Sequence, residues 1–87
     1  MKKIHELKIL PKYFREVVDN KKKFEVRKND RNFCVGDKIL LREYDPLTDD
    51  GYTGRIWYGD ITYILNDSEY CKKGYIIMSI EKNETLT

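Results

Sequence analysis

Histidine occurs once in this chain, at His5, and cysteine twice, at Cys34 and Cys71, with no Cys-x-x-Cys pair among the 87 residues. A zinc site has too few ligands here, and two isolated cysteines do not make a disulfide framework. Glycine numbers only five, and none sits in a phosphate-cradling loop; GxSxG and HExxH are also missing. No apolar run approaches the length of a membrane span, and no secretory or lipidation signal is present, so a cytoplasmic protein with reduced thiols is expected. The acids of the 45–51 segment, Asp45, Asp49 and Asp50, lack the spacing of a calcium loop and read as a solvated turn. No metal, cofactor or membrane contact is therefore expected.

Charge is abundant. Charged residues make up 37% of the chain, yet the net charge is only +2. The total hides an asymmetry: residues 1–42 hold thirteen Lys and Arg against six Asp and Glu, giving +7, and the remainder gives −5 from four against nine. A basic half suits a polyanion, because neutralised phosphates release counterions. Two halves that face and screen each other would explain the same numbers. Hydrophobic residues at 40% and aromatics at 13% support one folded core, and the length allows one domain, expected over residues 4–81 with 82–87 as a flexible tail.

Taken in order, residues 4–10 alternate as a strand, with His5, Leu7 and Ile9 on one face and Glu6 and Lys8 on the other. Pro11 then opens a short helix whose Phe14, Val17 and Val18 form an apolar stripe, and Asn20 is a plausible left-handed stop. Lysines after that stop suit the negative end of the helix dipole, which is a purely structural use for them. Phe33 and Val35 are expected to return to the core, and Val35-Gly36-Asp37-Lys38 reads as a turn into a strand over residues 39–44. After the 45–51 loop comes a long strand over 56–65, in which Gly59 marks a bend or bulge, and a last strand over 75–81. Five or six strands, one or two short helices and frequent turns predict an α+β, mainly β, small barrel.

The basic segment Lys21-Lys22-Lys23-Phe24-Glu25-Val26-Arg27-Lys28-Asn29-Asp30-Arg31 is the candidate functional element. Alternation puts Phe24 and Val26 toward the core and Lys23, Glu25 and Arg27 on the other side. Lys22 with Glu25 offers a base or nucleophile and a carboxylate to serve it. Glu25 between Lys23 and Arg27 is equally an ion cluster on a strand with no chemistry at all. Seven tyrosines exceed what so small a core needs, and Tyr44, Tyr52, Tyr58 and Tyr63 are expected to line a cleft, where rings stack on unpaired bases.

His5-Glu6-Leu7-Lys8, Tyr13-Phe14, the 22–31 segment, Val35-Gly36-Asp37, the 41–45 segment, Tyr52-Thr53-Gly54-Arg55 and Thr62-Tyr63-Ile64-Leu65 together resemble the ASCH domains of the PUA-like superfamily. The chain looks most like a small bacterial and phage branch of them, catalogued as a domain of unknown function. The resemblance implies a PUA-type β-barrel with a helix packed at one end, a cleft beside that helix, and association with RNA or modified nucleosides. One ASCH branch hydrolyses acylated cytidine with a lysine and a threonine of a Gly-Arg-Lys-Thr-x-Thr-x-Arg segment and a glutamate further along. In this chain that lysine falls on Lys22 and the arginine on Arg27, while Glu25 stands in place of the threonine and Asn20 in place of the glycine.

The expected function is binding of RNA or a nucleotide-like small molecule through Lys22, Glu25, Arg27, Asn29 and Arg42, with His5, Tyr44 and Tyr63 at the cleft edge. The alternatives are a small amidohydrolase on a modified nucleoside, with Lys22 and Glu25 catalytic, and a protein-interaction module of a mobile element.

Overall fold

A computed structural model describes residues 2–84, as five strands and one helix. The strands are β1 (Ile4–Ile9), β2 (Phe24–Lys28), β3 (Lys38–Tyr44), β4 (Tyr52–Leu65) and β5 (Tyr75–Lys82); the helix is α1 (Pro11–Val18). They form one sheet in the order β1-β3-β4-β5-β2, with β1 and β3 parallel and the other pairs antiparallel. The sheet curls into a half-barrel whose two edges, β1 and β2, approach each other without a shared ladder. Arginines bridge that seam. Arg27 Nη2 donates to the Lys8 carbonyl at 2.8 Å and Arg31 Nη1 to the Glu6 carbonyl at 2.7 Å, so side chains serve the free edge of β1.

The helix follows from local sequence. Pro11 occupies the first turn, where its missing N–H has no partner to lose, and Phe14 and Val17 point into the core. Val18, expected in the same stripe, is exposed, because i+4 from Phe14 lies on the flank of so short a helix. The C-terminus is a Schellman motif: Asn20 takes φ +63°, the Lys21 N–H reaches the Glu16 carbonyl at 2.9 Å and the Asn20 N–H reaches Val17 at 3.0 Å. The chain therefore turns back sharply before β2.

On β1 the expected alternation is present: His5, Leu7 and Ile9 are buried and their neighbours exposed. Ile39, Leu41, Ile61, Ile76 and Met78 are fully buried and form the centre of the core with Phe14, Val17, Phe33 and Trp57. Val35, by contrast, is exposed: Cys34 to Lys38 turn tightly around Gly36, and only Phe33 enters the core. Lys82 completes β5, and Asn83 donates its N–H to the Tyr58 carbonyl at 3.0 Å; both lie within the segment expected as a tail, and residues 85–87 of that segment lie outside the described residues.

One long strand serves two partners. The first part of β4 pairs with β3 from Tyr52 to Asp60, and its second part pairs with β5 from Gly59 to Leu65. Of the bend or bulge expected at Gly59, the change of partner does begin there, whereas the register shift falls between Ile61 and Tyr63. What Gly59 provides is room, because a Cβ there would overlap the Trp57 ring and the Glu81 carbonyl oxygen. Gly59→Ala is therefore expected to destabilise by about 2 kcal/mol, as overpacking against backbone and indole does, and to lower Tm by roughly 10 °C in a thermal melt.

Candidate functional site

The Schellman turn delivers Lys21 and Lys22 to the mouth of a groove of about 690 Å³ between α1 and β2. Leu10, Tyr13 and Glu16 line it from the helix side and Phe24 and Val26 from β2, with Lys8 and Lys21 also in the lining. At the floor lies Glu25, only 3% exposed. Its carboxylate takes three charge-assisted contacts: from the Lys22 ammonium at Oε2, and from Arg27 Nε at 2.8 Å and Nη2 at 2.7 Å at Oε1. Lys22 Nζ also donates to the Phe24 carbonyl at 2.6 Å.

This arrangement inverts the expected facing of β2. Phe24 and Val26, expected in the core, are 45% and 51% exposed, and Glu25 and Arg27 point inward, opposite Met78 and Ile76. The physical reason is the pairing. A lone carboxylate beside Met78 would cost several kcal/mol, roughly what its desolvation demands, but two cations and their hydrogen bonds offset it. Hydrophobic alternation carries no information about such a satisfied charge, so it points to the wrong face.

Lys22, Glu25 and Arg27 are thus brought together as expected of a site. The other candidates are not on the groove. His5 is buried near the start of β1, where its Nε2 donates to Asp37 Oδ2 at 2.8 Å and its ring lies 4.6 Å from that of Phe33. Asn29 is exposed beyond the end of β2 and donates its N–H to the Gly74 carbonyl at 2.8 Å. Arg42 and Tyr44 lie on the outer face of β3, and Tyr63 is exposed opposite Ser79. Tyr58 is buried. The tyrosine that does line the groove is Tyr13, which sequence reasoning does not single out as a site residue. Its neighbour Phe14 claims the core, so on a helix Tyr13 has to point elsewhere, and that is the available signal.

The Val35-Gly36-Asp37 segment is a structural knot. Asp37 accepts from His5 and from the backbone N–H groups of Cys34 at 3.1 Å and Lys3 at 3.3 Å, and it ties the turn to the start of β1. Burial pushes the Asp37 carboxyl up, but the His5 hydrogen bond, the two backbone donors and the charge of His5 outweigh it and hold the group below its ordinary 3.8. The folded state thus binds this proton more weakly than the unfolded chain. Its contribution is complete above the ordinary value and is lost as pH falls through the lower folded value. Melts of wild type and Asp37→Asn against pH are expected to show a wild-type loss of Tm in acid below about pH 4, and a variant that is already less stable at neutral pH with a flatter acid limb.

Cys34 and Cys71 are both free thiols. Among the described residues, no group of three or more His, Cys, Asp or Glu could hold a metal ion, and no helix is long and apolar enough to cross a membrane.

The chain is similar to a protein of Escherichia phage P2 described as an uncharacterized 12.9 kDa protein in the GpA 3′ region, with 37% identity over 78 residues, spanning 90% of this chain and 68% of that protein. Residues 4–80, which include every strand except the end of β5 and the whole groove, match the family described as Domain of unknown function (DUF3850), and the chain belongs to that family.

Proposed function

We propose that this chain is a PUA-like ASCH module that binds RNA or a nucleotide-like ligand in the groove between α1 and β2. The observation that carries the reading is the convergence of Lys22 and Arg27 on buried Glu25 at the floor of a groove whose walls include the Tyr13 and Phe24 rings. Its volume of about 690 Å³ is that of a small-molecule site, and rings beside cations suit a base and its phosphate. Glu25 holds the two cations in place. Lys22, whose ammonium also lies 4.9 Å from the Phe24 ring centroid, and the Nη1 of Arg27 are the donors that face a ligand there. The basic first half of the chain and the resemblance to ASCH domains favour the same class of partner, one that the cytoplasm supplies.

Lysine-dependent hydrolysis fits less well. A nucleophile or base needs an available lone pair, whereas Lys22 here donates to both Glu25 and the Phe24 carbonyl, and Glu25 stands where the hydrolase segment has a hydroxyl. A screen of acylated nucleosides tests that alternative, and turnover retained in Lys22→Ala removes its mechanism.

Binding of labelled RNA and of mononucleotides is expected to weaken steeply with salt, with a slope of about −0.7 for each phosphate contact to a single strand. Lys22→Ala is expected to cost about tenfold or more in affinity, in line with losing a charge-assisted contact. Affinity unchanged in both Lys22→Ala and Arg27→Ala overturns the reading.

A further inference from the structure

The outer face of the sheet carries a second cationic and aromatic surface joined to the groove through a single residue. Lys8 on β1 is paired with Arg42 on parallel β3, and Tyr44 with Tyr52 on antiparallel β4. These four side chains interlock. Lys8 Nζ lies 4.4 Å from the Tyr44 ring centroid and 5.8 Å from that of Tyr52, Arg42 Cζ stands 3.8 Å above the Tyr52 ring, and the two tyrosines meet edge to face at 5.1 Å. Glu6 steadies Arg42 at 3.3 Å. Gly51 leaves the space that the Tyr44 ring fills, for a Cβ there would overlap it. The core has no use for this cluster, because Leu7, Ile9, Ile39 and Leu41 face the other way.

Resting on the groove reading, we propose that the ligand is a single-stranded polynucleotide rather than a free nucleotide: one base enters the groove, the strand crosses Lys8, and the next base lies on Arg42 and Tyr52. Lys8 lines the groove, and its ammonium lies 4.4 Å from the Tyr44 ring centroid and 5.8 Å from that of Tyr52, so a phosphate beside it is within reach of both sites. A guanidinium already stacked on a ring offers a flat cationic plate, which attracts a base face and the adjoining phosphate together. Cross-strand packing alone would explain tyrosines opposite each other on β3 and β4. It does not call for two cations over their faces at the rim of a basic groove. The acidic 45–51 turn lies just beyond Tyr44 and bounds the path, since its carboxylates repel a phosphodiester.

The test is a titration of the full chain with uridine monophosphate, short oligouridylates of increasing length and an oligothymidylate, read by fluorescence anisotropy or calorimetry. Wild-type affinity is expected to rise with strand length. Arg42→Gln and Tyr52→Leu are expected to weaken the longest oligouridylate about tenfold, the range of one lost stacking contact, with monophosphate binding unchanged. Tyr52→Phe keeps the ring and is expected to restore it. Both sugar types gaining with length supports a phosphate-and-stacking path, and gain with the ribose strand alone supports an RNA path. Oligomers that bind no tighter than the monophosphate, or variants that bind them as wild type does, overturn the proposal. Loss of monophosphate binding in Lys22→Ala alongside length-independent affinity would leave the groove reading standing and remove this one. No binding of any probe removes both.

Discussion

Glu25→Ala is expected to destabilise the fold by about 3 kcal/mol and to abolish ligand binding, the largest effect of any single change at the site. The Glu25 side chain is only 4% exposed, and its removal leaves Lys22 and Arg27, with side chains 17% and 23% exposed, facing each other without a counter-charge. Breaking a buried pair by deleting one partner costs roughly 3–5 kcal/mol, and the low end applies because both cations reach solvent through the groove. In a thermal melt this is roughly 15 °C for a domain of this size. Glu25→Gln keeps the volume and is expected to lose about half as much, since the amide still accepts from one donor. The decisive variant replaces all three charges together. Lys22→Met with Glu25→Leu and Arg27→Met is expected to recover most of the stability, because apolar replacement of a whole buried ion group is close to neutral or better. Binding should not return with it. Recovery of stability without binding assigns the cluster to the ligand; failure to recover would show that the charges hold the strand in place.

Arg27→Lys is expected to cost about 2 kcal/mol despite conserving the charge. Arg27 makes a fork to Glu25 Oε1 and sends Nη2 across the seam to the Lys8 carbonyl, contacts that a single ammonium on a more flexible stem does not reproduce. Arg31→Ala is the matching comparison. Its bond to the Glu6 carbonyl is exposed, water replaces it, and less than about 0.5 kcal/mol is expected. Urea unfolding of both variants tests the difference. Equal costs would mean that the seam, rather than the carboxylate, is what Arg27 serves.

Much of the fold is legible in the sequence because local rules and tertiary demands agree. Alternation on β1 places His5, Leu7 and Ile9 inward, Pro11 and Asn20 bound α1, and aromatic and β-branched residues mark β4 and β5. Sequence reasoning also brings Lys22, Glu25 and Arg27 to one site. It fails where a rule meets a non-local partner. Phe24 and Val26 look like core residues until Glu25 finds two cations, one of them from the turn after α1. Gly59 reads as a bend or bulge, and the strand does change partner there, but nothing local shows that the Trp57 ring needs its space. His5 shares the apolar face as its parity indicates, a satisfied core or pocket-edge position, but the partner that satisfies it, Asp37, is 32 positions away in a turn that only the folded sheet brings close. Arg42 and Tyr44 share the outer face of the sheet rather than the groove, for strand parity tells a face and not a neighbour.

The most direct test of the groove as a ligand site is an amide ¹H–¹⁵N titration of the labelled full chain with a short oligouridylate. Shifts are expected at Tyr13, Lys22 and residues 24–27, with smaller ones at Lys8 and Arg42. Shifts confined to the turn around Asp37, or to the outer face of β5, would contradict it.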